Sequence, residues 1–214
     1  GKVCEQGFNG EQMSSWCSDL VETLSPKTTI NLSYYPSMFV KSMVMFNKTN
    51  GTNYTEFVFD GFYVVGSIAT ATDNLAMTDI AVNMWYNPKY VKTIDATKLD
   101  TEIKDIKAQN LIVIGNPCEN LVAAQIGGST ETHPIVWNSK KVSTCPYGFD
   151  NPNQARVRLL KQDTGKWTLL VYGYSPAQTQ MAAKFIAEKP WDLTGNDLLL
   201  EGTSWQNAKV KVIN

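Results

Sequence analysis

The stretch Leu111-Ile112-Val113-Ile114-Gly115 constrains this chain more than any other. Four consecutive aliphatic residues closed by a glycine are too short for a helix, and their lack of alternation predicts a strand buried on both faces. Asn116 supplies a capping side chain, Pro117 suits a first helical position, and Gly127-Gly128 stops a helix running through Ile126. The same grammar occurs earlier. Phe57 to Gly66 is aromatic and β-branched, reading as strand with a bend at Asp60-Gly61. Ala76, Met77, Ile80, Ala81 and Met84 then share one helical face, with Thr72 or Asp73 as the cap and Asn87-Pro88 as the stop.

Further along, Gln154 to Gln162 and Trp167 to Tyr172 alternate as a hairpin around Asp163-Thr164-Gly165-Lys166, with Val157 and Leu159 on one side and Arg156 and Arg158 on the other. Ser175-Pro176 opens a helix whose buried face is expected to be Ala177, Met181, Ala182, Phe185 and Ile186; Pro190 ends it, and a last strand follows near Ala208 to Ile213. At the other end, Met13, Trp16, Cys17, Leu20, Val21 and Leu24 form one helical stripe stopped by Ser25-Pro26. Strands alternating with helices predict an α/β fold: a three-layer, Rossmann-like sheet of mixed, partly parallel strands flanked by helices, preceded by an N-terminal helix and extension.

Several chemistries are disfavoured. The 214 residues carry a net charge of −1 and only two arginines, Arg156 and Arg158, so no basic field gathers nucleic acid. No run approaches the roughly 20 apolar residues that span a bilayer, and Gly1-Lys2-Val3-Cys4 lacks a signal peptide's apolar core, so the chain reads as already processed. A dinucleotide fingerprint needs three spaced glycines, whereas Val65-Gly66-Ser67-Ile68-Ala69 and Ile114-Gly115-Asn116-Pro117-Cys118 supply one each. The single histidine, His133, has no ligand partner at metal spacing and reads as a solvated loop residue. Neither G-x-S-x-G nor H-E-x-x-H occurs. Asp60, Asp73 and Asp79 are the carboxylates that could gather a cation such as calcium, though without D-x-D spacing; otherwise no cofactor is expected.

The four cysteines, Cys4, Cys17, Cys118 and Cys145, form no C-x-x-C pair and read as two disulfides. Three pairings are possible. The sequence-local one, Cys4 with Cys17 and Cys118 with Cys145, is preferred because it closes modest loops, each stabilising by roughly 3 kcal/mol; four buried thiols are the alternative. Sequons stand at Asn31, Asn47, Asn50 and Asn53, three of them packed between Asn47 and Thr55, where turn chemistry predicts an exposed, glycosylated loop.

Taken together, Tyr35-Pro36-Ser37-Met38-Phe39, Tyr63-Val64-Val65-Gly66 with Asp73 to Ala81, Asn110 to Cys118, Leu170 to Ser175 with Ala182-Ala183, and Gly202-Thr203-Ser204 resemble, in order and spacing, archaeal S-layer proteins. The resemblance covers residues 34–214, implying an S-layer-like domain there and a separate N-terminal helix and extension over 1–33. It also implies a disulfide between Cys118 and Cys145. The chain departs from the family where Asn116 replaces a second glycine and where Gln178, Gln180 and Met181 replace arginine-rich positions. Family members are usually larger and membrane-tethered, and this chain ends at Asn214 without an anchor, so a filament of S-layer-like subunits stands beside a lattice.

The function this implies is structural: an extracellular cell-surface protein, not an enzyme, whose partners are copies of itself and N-linked glycans, with residues 1–33 as candidate subunit contact, adding a strand near Thr28 to Leu32 to a neighbour's edge. The alternative is a secreted cell-wall or glycan-binding module using Trp137, Tyr147 and Trp205.

Overall fold

The computed structural model describes residues 38–49, 51–83, 91–92, 96–128, 148–189 and 196–213. The expected N-terminal helix, its Cys4 and Cys17, and the extension to residue 33 lie outside the described residues.

The chain enters with a long hairpin, β1 (Val40–Asn47) and β2 (Thr52–Phe59), in antiparallel register from Val40 opposite Phe59 to Asn47 opposite Thr52. The short β4 (Val91–Lys92) pairs parallel to β2. Asp60 and Gly61 then carry the chain into a second sheet, as their turn chemistry predicted, because β3 (Phe62–Val65) begins immediately after them. An aromatic ladder joins the two sheets: the Phe59 ring stacks 4.5 Å from Tyr63 and 6.4 Å from Phe39, and all three are buried. Asn110 pins the same junction. Its Nδ2 donates to the Asp60 carbonyl at 2.8 Å, its carbonyl accepts from Phe62 N at 3.0 Å, and its Oδ1 accepts from Trp167 N at 2.9 Å.

After β3 come α1 (Ala71–Asn83), β5 (Thr97–Leu99), a 3₁₀ turn at Asp100–Glu102, β6 (Leu111–Ile114), α2 (Leu121–Ile126), β7 (Gln154–Lys161), β8 (Trp167–Gly173), α3 (Pro176–Glu188), β9 (Asp197–Glu201) and β10 (Lys209–Val212). The larger sheet has seven strands in the order β10-β9-β7-β8-β6-β3-β5. Pairing is parallel from β5 through β3 and β6 to β8, and antiparallel from β8 through β7 and β9 to β10.

This arrangement corrects the expected three-layer, Rossmann-like fold. The molecule is strand-rich, and among the described residues it has three α-helices, which do not flank the sheet evenly. α1 and α3 pack side by side on one face, where Ala76, Ile80, Met181, Ala182 and Phe185 meet Tyr63, Val65, Ile112, Ile114, Val157 and Val171. On the other face the six-residue α2 sets Val122 and Ala123 against Val64, Val113, Leu170 and Tyr172, with Ile103, Ile106 and Phe149 from connecting segments beside it. The reason is connectivity. Antiparallel neighbours join by turns, so β7 to β8 and β9 to β10 need no helical crossover, and a helix layer forms only where parallel strands require one.

Helix starts differ from expectation in detail. α1 is capped by Thr70, which forms a reciprocal box with Asp73: Thr70 N and Oγ1 donate to Asp73 Oδ2 at 3.1 and 2.8 Å, and Asp73 N approaches Thr70 Oγ1 at 3.4 Å. α2 begins at Leu121 under Asn120, whose Oδ1 accepts from Ala123 N at 3.1 Å, four residues later than the Asn116 cap anticipated. In α3, Ala177 is exposed, while Thr179, Ala183 and Ala187 join Met181, Ala182, Phe185 and Ile186 on the buried side.

The backbone runs tightly against itself where Gly66, at the end of β3, meets the loop before α2. A Cβ on Gly66 would stand 1.9 Å from the Glu119 carbonyl oxygen. Gly66→Ala therefore forces two backbone segments apart and is expected to cost about 3 kcal/mol in urea denaturation. Gly165→Ala, at a turn with φ of 81° and open space around it, is expected to cost only about 1 kcal/mol, for the left-handed backbone alone.

Candidate functional site

Strands β3 and β6 are parallel neighbours, and the chain leaves β3 for α1 on one face and β6 for α2 on the other. Such a divergence opens a crevice beyond the strands' carboxyl ends, the usual place for a ligand in open parallel sheets. Here the chain's own polar side chains fill it. Asp73, Asp100, Asn116, Glu119 and Asn120 are all buried there.

Asp100, just past β5, accepts three backbone amides: Oδ1 from Ser67 N at 2.7 Å and Thr101 N at 2.9 Å, Oδ2 from Leu121 N at 2.7 Å. Asn120 donates from Nδ2 to the carbonyls of Val64 at 3.3 Å and Ile114 at 3.0 Å. The amides at the start of α2 that would face an anion are thus taken by Asp100 and Asn120, so an internal carboxylate stands where a phosphate would sit. Asn116 folds the intervening turn: its Oδ1 accepts from Cys118 N at 2.9 Å and its Nδ2 donates to Glu119 Oε2 at 3.1 Å.

The Glu119 carboxyl also interacts with the side chain of Asp73, whose Oδ1 is otherwise buried without a hydrogen-bond partner. Burial pushes the Asp73 carboxyl above its ordinary value of 3.8, outweighing the stabilising hydrogen bonds from Thr70. The Glu119 side chain, like the Thr70 bonds, offsets only part of that cost of burial.

A second, half-buried charge group lies on the α2 face of the sheet. Arg156 makes a bidentate pair with Asp197, Nε to Oδ1 at 2.7 Å and an η nitrogen to Oδ2 at 2.9 Å, and Arg158 Nε approaches the same carboxylate at 3.2 Å. Asp197 holds the Arg156 guanidinium above its usual value. Burial pushes the Tyr172 hydroxyl up; its ring packs 5.3 Å from Phe149. The group locks β7 to β9.

The residues singled out from sequence fall in separate places. Cys118 is buried and disulfide-bonded; Cys4, Cys17 and Cys145 lie outside the described residues, as do Asn31, Asn50, His133, Trp137 and Tyr147. The expected loop from 47 to 55 is instead mostly strand: Asn47 ends β1, half-buried, with Oδ1 accepting from Thr49 N at 2.9 Å, and Asn53 is exposed within β2. The sequons at Asn47 and Asn53 therefore flank one tight turn. Asp60, Asp73 and Asp79 do not converge, since each has its own partner: Lys41 at 2.7 Å, Thr70 at 2.8 Å and Gln180 at 3.5 Å. Among the described residues no group of three or more His, Cys, Asp or Glu is placed to hold a metal ion. Trp205 is half-buried against the main core with the Lys189 ammonium 6.0 Å from its ring centre, which makes it part of the packing rather than an open platform.

Sequence reasoning missed Asp100, Glu119 and Asn120. Asn120 carried a usable signal, a capping residue directly before the apolar run Leu121-Val122-Ala123-Ala124; Asp100 and Glu119 carried none, because isolated carboxylates in polar stretches normally face water.

No protein-family model matches the chain, and no curated protein matches it significantly.

The Asp73–Glu119 contact has a pH signature. The folded chain keeps its proton on Asp73 where the unfolded chain has released it, so this group's contribution to stability is full below its ordinary value of 3.8 and is lost as pH rises through the raised value. Asp73→Asn keeps an acceptor for Thr70 and offers Glu119 a donor. It is expected to be more stable than wild type at pH 8 by at least about 1 kcal/mol, a rise in Tm of roughly 2–4 °C, with the difference vanishing at pH 3. An equal Tm difference at both pH values would contradict the assignment.

Proposed function

We propose that this chain is a structural protein of a cell surface that assembles with copies of itself, as a subunit of an S-layer lattice or of a filament related to one. The observation that carries the reading is the open sheet. Among the described residues its seven strands end in two edges, β5 and β10, and every residue of β10 is exposed. An exposed edge of unpaired backbone groups is a template for association, and an open sheet presents one at each end.

Three further features agree with it. Cys118 is oxidised, as suits an extracellular environment. Two sequons flank the turn of a hairpin, β1–β2, whose base meets the core through Phe39, Val40 and Phe59. The crevice where an enzyme of parallel-strand architecture would hold its substrate is occupied by internal hydrogen bonds, donated by Asn116 and Asn120 and accepted by Asp100. No helix among the described residues is long and apolar enough to cross a membrane. The collinear resemblance to archaeal S-layer proteins supplies the kind of assembly. Cys118 pairs with Cys145 in this reading.

Negative-stain electron microscopy of purified protein over a concentration series, with and without a calcium chelator and a disulfide reductant, tests the proposal. Ordered sheets or filaments above a threshold concentration are expected; a monomer under every condition would overturn it.

A further inference from the structure

On the α2 face of the sheet, β7 and β9 bring two guanidinium groups to one carboxylate, and that carboxylate is already taken. Arg156 closes a two-bond fork on Asp197 and uses both of its oxygens. Arg158, two residues along β7 and opposite Asp197 in register, reaches Oδ2 at 3.2 Å only as a charge contact. Its Nε is buried without a hydrogen-bond partner, so the N–H is out of line for a bond to that oxygen. A guanidinium presents five donors in one plane, and a donor kept from water and left unmet costs free energy. The neighbouring strands add charge of the same sign. Tyr172, Arg156, Leu199 and Lys211 form one row across β8, β7, β9 and β10, with the half-buried Leu199 between the two cations. The other carboxylate of this face, Glu201, accepts from Gln154 at 3.0 Å and stands opposite Lys209. Among the described residues of β7, β9 and β10, four cationic side chains thus share this face with two carboxylates, and Arg158 and Lys211 are the cations left over.

We propose that Arg158, with Arg156 and Lys211 beside it, is a binding site for the carboxylate of an acidic sugar. A carboxylate is planar and matches a guanidinium fork, as Asp197 already does for Arg156. Both arginines of the chain stand at this one place, and arginine is the cation suited to such paired recognition. The row around it selects a sugar as the carrier. Arg156 and Lys211 are two interstrand spacings apart, about 10 Å, with the aliphatic surface of Leu199 between them. A pyranose ring bearing a carboxylate has an apolar C–H face next to its charge, which fits that alternation of cation, aliphatic surface and cation. The site lies on the face of the sheet and the self-assembly reading rests on its edge, so the two stand or fall separately.

The test titrates the dispersed full chain with sodium glucuronate, with sodium acetate, glucose and sodium chloride as references. Its readout is the arginine Nε–H region of a proton–nitrogen NMR spectrum, which holds one resonance for each of the two arginines; Arg158→Lys removes one and so assigns both. Glucuronate is expected to shift the Arg158 resonance saturably, glucose and chloride to leave it in place, and acetate to saturate only at concentrations on the order of tenfold higher. Arg158→Lys keeps the charge and loses the fork. Followed by the backbone amides of β7 and β9, it is expected to bind glucuronate on the order of tenfold more weakly, with a thermal melt to check that it folds; the wild-type titration decides the proposal even if it does not. A shift that rises without saturating and is matched by chloride would overturn the site as charge screening alone. Acetate binding as tightly as glucuronate would overturn the sugar as its ligand. Undiminished glucuronate binding by Arg158→Lys would overturn the guanidinium fork as its anchor.

Discussion

The contact between the end of β3 and the turn before α2 organises most of the described fold. Gly66 lets the backbone run against the Glu119 carbonyl, and only at that separation does Asp100 reach Ser67 N and Leu121 N together while Asn120 reaches the carbonyls of Val64 and Ile114. Five buried polar side chains thereby bind the ends of β3, β5 and β6 to the starts of both α1 and α2. Such a group stabilises only when nearly every donor and acceptor is met. Here the exception is Asp73 Oδ1, set beside a second carboxyl. The sheet's parallel half is held from this point, and its antiparallel half by the Arg156–Asp197 pair and the β7–β8 hairpin.

Closing the crevice with internal carboxylates and amides has a consequence for function. What stays on the outside is edge and face: β10 with its alternating lysine and valine, the outer stripe of α1, and a hairpin carrying sequons beside its turn. These are the surfaces that motivate the proposed structural reading.

Strand positions were largely legible in the sequence because period and turn chemistry act locally. The aliphatic run Leu111 to Ile114, the bend at Asp60-Gly61, and the hairpin around Asp163 to Lys166 with Arg156 and Arg158 opposite Val157 and Leu159 all stand as expected. What the sequence hides is which strands become neighbours and in which direction. Strand-then-helix repeats suggested helices flanking the whole mixed sheet, yet β7 to β8 and β9 to β10 join as antiparallel neighbours without a helix, and the three-layer expectation fails there. The start of α2 was misplaced for a related reason. Asn116-Pro117 has capping chemistry, but Asn116 spends its side chain on the turn against Gly66, leaving Asn120 to cap. The buried pair Asp73 and Glu119 comes from the first turn of α1 and the turn before α2, which meet only in the folded chain, so no spacing rule could reveal it.

Hydrogen exchange by mass spectrometry, comparing dispersed with assembled protein, tests the central claim most directly. An edge strand paired on one side exchanges readily, and docking against a neighbour slows it. The account predicts new protection across Lys209 to Val212 on assembly, with the β6 to β8 centre of the sheet unchanged. Assembled protein whose β10 exchanges as fast as in the dispersed state would contradict it.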